Sequence, residues 1–478
     1  MHVLPIILFE CNSDNNAIHI PSHIFLSLFH YIGLRDIRQL ASLTFTTTRQ
    51  SILGQLMAGS LSLILLCLQV VSTVLGNSDP SAQIHRRSPQ KPSKPPVSNT
   101  KANAKPVPFG FGSKVTGGGN AAPQTPKDPA ELEAWLNDPA PRVILISKTY
   151  DFTSPNITKT SGCQPFKSCS NGKNVQQAMN YNNWCTQVEK STSKVLVSLD
   201  ASPLNPIMVA GHKTLLGVGK SAIIKGKGLS LIHVENVIIQ NIHITWLNPH
   251  LVWGGDALMM YGAKNVWIDH CTFSSIGRQM IVAGGTSPGE GNSGITISNN
   301  FFSGKTKWSA RCQNRHYWTA FFSGVDDQIT MARNCIDFTS GRSPKTGGSG
   351  SPKVLLHYYN NMHTNTIGAT FEVGAGSNVL AEGNVFHNVK MQDNSDLTTQ
   401  DGGKAYVPFK TKEANQCKSI LGRPCISNLM IQSSKYNFPL DTQALATCKA
   451  YPDVTKANVL PASSIKSGVP GGCGVGFM

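Results

Sequence analysis

The chain has 478 residues and a formal net charge of +16, yet only 14% of its residues are charged, while Gly alone numbers 43. Few charges and many glycines argue against a helical bundle and for a β-rich, turn-rich extracellular protein. Residues 1–105 hold nine Lys/Arg and four Asp/Glu, which leaves +11 on the remainder. With no basic helical stripe and no RNA-binding signature, that charge points away from nucleic acid and toward an anionic polysaccharide.

Along the chain, Leu61 to Leu75 is the only long apolar run. It is too short and too interrupted by Ser and Thr for a membrane span, but it suits the apolar region of a secretory signal. Met57 opens a well-formed signal over 57–76, with a cut near Gly76–Asn77, so residues 1–56 read as sequence upstream of the true start. A genuine N-terminal extension with an internal anchor is the alternative. Ten cysteines follow the signal, in keeping with an oxidising, secreted destination and no membrane attachment after signal removal. Residues 77–105 are rich in Ser, Pro and Lys and lack large apolar side chains, so they form a disordered linker, with Arg86–Arg87 as a dibasic pair inside it. Residues 106–478 form the folded domain. Asp128 to Leu136 predicts a short amphipathic helix with an acidic first turn, and Val143 to Ser147 a buried strand.

The centre repeats. Short apolar strands each carry a polar residue at a matching place: Asn241, His270, Asn300, Asn334, Asn361 and Asn384, spaced 29, 30, 34, 27 and 23 residues apart. Such a period without helices predicts a parallel β-helix, its coils stacked about 4.8 Å apart and its polar residues forming a hydrogen-bonded ladder. An antiparallel sandwich needs strands every 8–12 residues and has no reason for such a ladder. The following residues, Ile242, Cys271, Phe301, Cys335, Met362 and Val385, are expected to point inward. Cys271 and Cys335 then lie two coils, roughly 9.6 Å, apart, too far to bridge, and are expected to be buried free thiols. Cys163, Cys169 and Cys185 cluster ahead of the coils, and Cys417 and Cys425 flank a tight turn; these read as disulfide partners. The pairing of Cys448 and Cys473 stays open.

No HExxH, CxxC, nucleophile-elbow or phosphate-loop motif is present. Instead, polar residues recur at the edges of successive coils: Asp256 after Trp253, Arg278, the Arg315–Trp318 stretch, and Arg342 with Lys345. Stacking brings equivalent edges together, so Asp256, Arg278, Arg342 and Lys345 are expected to share one groove. Each taken alone is equally well a surface ion pair.

Six runs carry a family resemblance: LVWGGDALMMYGAKNVWIDHCTFSSIGRQ (251–279), HYW (316–318), SGRSPK (340–345), VLAEGNVF (379–386), NNWC (182–185) and IIKGKGL (223–229). Over roughly residues 107–430 the chain resembles fungal-type pectin lyases of the pectate lyase superfamily. The resemblance implies a right-handed parallel β-helix, and cleavage of α-1,4-linked, methyl-esterified galacturonan by β-elimination to 4,5-unsaturated products. It implies Arg342 as the group that removes the C5 proton, with Lys345 beside it. It places Asp256 where pectate lyases bind calcium, and Arg278 where pectin lyases hold an arginine instead. Trp253, Trp318, Trp184 and Tyr317 are implied as the aromatic lining of the substrate cleft. The implied disulfides are Cys163–Cys185 and Cys169–Cys312.

The chemistry is coherent. A methyl ester opposes the carbanion less than a carboxylate does, so fixed cations serve where a pectate enzyme needs a hard metal ion. No metal or cofactor is therefore expected, and a monomer acting on pectin is. A guanidinium is ordinarily always protonated, so Arg342 as a base demands strong perturbation by its neighbours. The 284–294 stretch is long, and Lys305, Lys307, Arg311 and Arg315 add charge nearby, which suits tolerance of partly de-esterified substrate. Asp269 and His270 read as structural, and Asn156-Ile-Thr158 as a glycosylation sequon. The alternatives are a calcium-dependent pectate lyase, for which Glu290 is the one acidic candidate in the long stretch, and a non-catalytic wall-binding β-helix. A hydrolase of galacturonan needs clustered carboxylates, of which the groove offers one.

Overall fold

The computed structural model describes residues 106–478, except 170–173, 188–191, 288, 311, 349, 392–401 and 435–437. The upstream stretch, the signal, the linker with its Arg86–Arg87 pair, and Arg311 lie outside the described residues.

Short β-branched strands broken by turn residues dictate the architecture. Each coil has three strands, for example Lys264–Asp269, Thr272–Ile276 and Ile281–Gly284, and the next repeats them as Ser293–Ser298, Phe301–Ser303 and Ala320–Phe322. Equivalent strands pair in parallel from coil to coil, so among the described residues three sheets of ten, nine and seven strands run the length of a parallel β-helix. Alternation along each strand sends one column inward. Val237, Val266, Ile295, Ile329, Leu356 and Val379 stack in register inside the ten-stranded sheet, all fully buried. Phe273 and Phe302 stack in the nine-stranded one, with ring centroids 5.3 Å apart. At about 1.5–3 kcal/mol for each fully buried large side chain, this continuous core is the main source of stability.

The expected helix spans Pro129–Asn137, where the Asp128 side chain accepts the Glu131 N–H as an N-cap. The expected strand runs from Arg142 to Ile146. Upstream of both, the glycine-rich segment lies across the coils, with Phe111 and Gly112 N–H donating to the Thr330 and Thr296 hydroxyls. Gly112 is required there, since a Cβ would stand 2.9 Å from the Thr296 hydroxyl.

The polar ladder is real, but its register differs from the sequence reading in the first two coils. Asn300, Asn334, Asn361, Asn384 and Asn428 form it, each side-chain amide donating to the next amide oxygen at 2.9–3.2 Å. Each amide also donates to a strand carbonyl, such as Ile268 O or Ile297 O. In register with the ladder stand Ile242 and Cys271, not Asn241 and His270. Those two occupy the preceding corner with Asn299, Arg333 and Asn360, all at φ between +50° and +57°. Three later coils carry two polar residues at the turn (Asn299–Asn300, Arg333–Asn334 and Asn360–Asn361) where the first two carry one, and matching by polarity slid the register by one place.

That slip also misplaced a cysteine. Cys271 is inward, fully buried and free, as expected, and burial pushes its thiol up to about 12. Cys335 lies one position past the ladder and faces outward, like Phe301 and Met362. It is not a free thiol but pairs with Cys473 of the C-terminal segment. Among the described residues, Cys448 is the second free, buried thiol. Cys163–Cys185, Cys169–Cys312 and Cys417–Cys425 are bridged as expected.

Candidate active site

The seven-stranded sheet carries the candidate residues on one edge. Asp256 stands two residues before strand Leu258–Tyr261, Arg278 three before Ile281–Gly284, and Arg342 three before Lys345–Thr346. Backbone bonds stack these approaches coil on coil: Arg278 N–H donates to Gly255 O, Met280 N–H to Trp318 O, and Ala320 N–H to Arg342 O. The four residues expected to share a groove are thus brought to one face by the fold itself.

Arg278 and Asp256 touch. The guanidinium Nη1 lies 3.1 Å from Asp256 Oδ2, and the other carboxylate oxygen accepts the Gln279 N–H at 2.7 Å. Arg278 is 3% exposed and sits 3.8 Å over the Trp253 ring, whose other neighbour is a stacked Tyr181. Arg342, 5% exposed, lies 4.6 Å from the centroid of Trp318, 5.0 Å from Phe321 and 5.9 Å from Tyr317. Lys345 approaches the same Phe321 ring at 5.9 Å. Both guanidiniums therefore rest on aromatic faces, a placement that keeps charge in a nearly dry site, while the Lys345 side chain is partly exposed.

Of the four aromatic residues expected to line the cleft, Trp253 and Tyr317 are half-buried. Trp184 and Trp318 are only 8% and 5% exposed. These two form the packed wall behind the cleft, together with Cys163, Cys185 and Val252. Trp318 is fixed there by its Nε1–H, which donates to Gln176 Oε1.

The loop presenting Arg342 is held from beneath. Ser343 Oγ donates within a cluster made by the Thr319 and Thr339 hydroxyls and Gly341 O. Gly341 admits no side chain, because a Cβ would fall 2.3 Å from the Tyr317 ring. Arg342 itself has φ +45° and precedes a cis Ser343–Pro344 bond.

Two contributors escaped the sequence reading. Glu372 is 8% exposed and pairs with Lys345 at 3.4 Å across neighbouring strands in direct register. The repeat could have located it, since Lys345 and Glu372 are separated by the same 27 residues as Asn334 and Asn361. His316 lies within hydrogen-bond reach of Arg278 O and Trp318 O through Nε2, at 2.8 and 3.0 Å. Burial pulls its pKa down to about 4, so at neutral pH the ring is uncharged and Nε2–H can tie the two coils together.

The two carboxylates weighed as calcium ligands, Asp256 and Glu290, are both engaged by other groups. Both Asp256 oxygens are engaged, and a guanidinium stands where a cation would be neutralised. Glu290 spends a carboxylate oxygen on the N–H groups of Thr286 and Ser287 in its own loop. Among the described residues no three His, Cys, Asp or Glu side chains stand together as a metal would require. What the groove offers is fixed positive charge near aromatic walls, suited to stabilising negative charge that develops on a bound sugar.

Residues 146–419 match the family described as Pectate lyase. The chain is 43% identical over 368 residues to a probable pectin lyase F of Aspergillus flavus, spanning 74% of this chain and 82% of that protein. It is 40% identical over 374 residues to a probable pectin lyase F of Aspergillus niger, spanning 77% of this chain and 74% of that protein. A solved pectate lyase from Acidovorax avenae subsp citrulli aligns over 81% of this chain and 99% of its own, with 16% identity and a TM-score of 0.46.

Proposed function

The chain belongs to the pectate lyase family, and on that premise we propose that it is a pectin lyase cleaving methyl-esterified galacturonan by β-elimination. Arg342 takes the C5 proton. The C–H electron pair forms the C4–C5 double bond as the C4–O bond breaks, and charge gathers meanwhile on the C6 carbonyl oxygen. Lys345 and Arg278 face that charge, and the departing O4 takes up a proton from solvent water. Arg342 passes the C5 proton to solvent, which restores the neutral guanidine that the step requires. Asp256 holds Arg278, and Glu372 holds Lys345.

The observation that carries this reading is the Asp256–Arg278 contact. It puts a permanent cation on the carboxylate that a calcium-dependent enzyme keeps for its ion, which suits an ester substrate. The half-buried Trp253 and Tyr317 suit methyl groups and sugar faces. Action outside the cell, as a monomer released from a 57–76 signal, fits the disulfides at Cys163, Cys169, Cys335 and Cys417. No helix among the described residues is long and apolar enough to cross a membrane.

The test is the ultraviolet absorbance of unsaturated products from highly methylated pectin and from polygalacturonate, each with and without a chelator. Activity on methylated pectin that survives chelation is expected. Chelator-sensitive activity on polygalacturonate reassigns the chain to the pectate lyases, and no unsaturated product from either polymer leaves a hydrolase or a binder.

A further inference from the structure

A second aromatic surface lies at a corner of the nine-stranded sheet. Trp246 belongs to strand His243–Leu247, has φ +64°, and leaves 48% of its surface exposed. Register places Gly226, Ser275, Gly304, Phe338, Asn365 and Asn388 at the same corner of other coils. Gly and Asn take the left-handed conformation cheaply, whereas a bulky side chain costs on the order of 1–2 kcal/mol. Phe338 has an evident use, since Lys305 and Arg315 lie over its ring at 5.0 and 4.6 Å. Trp246 is different. Its ring meets Trp308 edge-on at 6.5 Å, and Trp308 meets His250 at 5.8 Å. His250 is anchored to Ser198 O through Nε2 at 2.7 Å. None of these contacts hides the indole from water.

The loop bearing Trp308 adds charge. Lys305 and Lys307 are exposed, and the Lys305↔Arg315 bridge closes the loop. Lys305 Nζ pairs loosely with Asp337 Oδ2 at 4.0 Å, while the other oxygen of that carboxylate accepts from the Thr364 hydroxyl and the Asn365 amide. The exposed Lys307 thus adjoins Trp308 in sequence, and Lys305 lies over the Phe338 ring farther along the same row of corners.

We propose that Trp246 and Trp308, with Lys305 and Lys307, form a second carbohydrate-binding site for a de-esterified galacturonan stretch. The indoles pack on the C–H faces of the sugars, and the ammonium groups pair with their carboxylates. The site rests on the galacturonan reading above and gives it a division of labour. The cleft takes ester units, and the outer surface retains the acidic blocks of the same polymer.

Affinity electrophoresis of the intact protein in gels containing unesterified polygalacturonate tests this. The parent is retarded, and Trp246→Ala loses at least about fivefold in affinity, the scale of one aromatic contact. Its thermal midpoint does not fall, its rate on short methylated oligomers is unchanged, and Trp246→Tyr recovers part of the retardation. Retardation of Trp246→Ala equal to the parent overturns the site. Equal retardation by fully methylated pectin, indifferent to salt and to Lys307→Gln, overturns its preference for acid. Trp246-dependent retardation in a protein that yields no unsaturated product fails the lyase reading and leaves the surface site standing.

Discussion

Arg342 and Arg278 are both nearly buried guanidiniums on aromatic rings, but they stand in different company. Arg278 pairs with Asp256 at 3.1 Å, and the Arg342 guanidinium lies over Trp318, Phe321 and Tyr317, sharing the Phe321 ring with Lys345. The proposed mechanism gives Arg278 a charge-holding role and Arg342 the proton-removing one. Arg342→Ala is expected to lower kcat about 10²–10⁴-fold with little change in KM, the range for a lost general base. Arg342→Lys should recover little of it, because an ammonium on a different stem does not reach the same point. Steady-state kinetics on methylated pectin decides, and a variant of parental rate removes Arg342 from the chemistry. Asp256→Ala takes the carboxylate from a guanidinium that is 3% exposed, so stability falls by about 3–5 kcal/mol along with activity. Asp256→Asn keeps an acceptor for the Gln279 N–H and is expected to be milder in denaturant melts.

At the scale of the coil, the asparagine ladder binds each turn to the next. Asn334 Oδ1 accepts both the backbone N–H and the side-chain amide of Asn300, and its own amide donates to Asn361. Asn334→Ala orphans those buried donors in one step. The expected loss is about 2–4 kcal/mol, read as a shift in the urea midpoint at unchanged slope. A shift within error would mean that the ladder only decorates the turn. The ladder is also where sequence and structure diverge most instructively. The β-helix was legible because strand length, repeat spacing and the recurring Asn all pointed to one solenoid. Its register was not, because Asn241 and His270 mimic a ladder residue while sitting at a left-handed corner that also favours polar side chains. The Cys335–Cys473 bridge went unseen for the same reason, together with a partner 138 residues away. That Asp256, Arg278 and Arg342 come to one edge could be read from the sequence, because each stands two or three residues ahead of a strand and Lys345 opens one. Glu372 and His316 act through a neighbouring coil, and only a correct register finds them.

The whole molecule holds titratable groups that the solenoid and its C-terminal cap bury together, and their signs set how acid acts on it. His316 and His363 are pulled down to about 4 and about 3 by burial. Each therefore gives stability that is complete above the unfolded value near 6.5 and is lost as pH falls toward the folded value. Glu382 is held down to about 2 against its own burial, by His357 and by Arg423, whose two nitrogens reach it at 2.6 and 3.0 Å. Its contribution is present above about 4.5 and disappears as pH drops toward 2. Asp327 opposes them. Burial raises it to about 6 despite bonds from Asn292 and Gly324, so it stabilises the fold in its protonated form and that gain is lost as pH rises through 6. Three depressed groups outweigh one raised one. The unfolding temperature is therefore expected to fall as pH drops from 7 to 4, and to keep falling below 4.5 as Glu382 takes up its proton. Asp327→Asn, which removes the counterweight, steepens the loss between pH 6 and 4, and Glu382→Gln flattens the curve below 4.5 from a lower start. Calorimetric scans across pH 7 to 3 measure all three. A flat profile in the parent between 7 and 4 contradicts the burial of the two histidines as neutral rings.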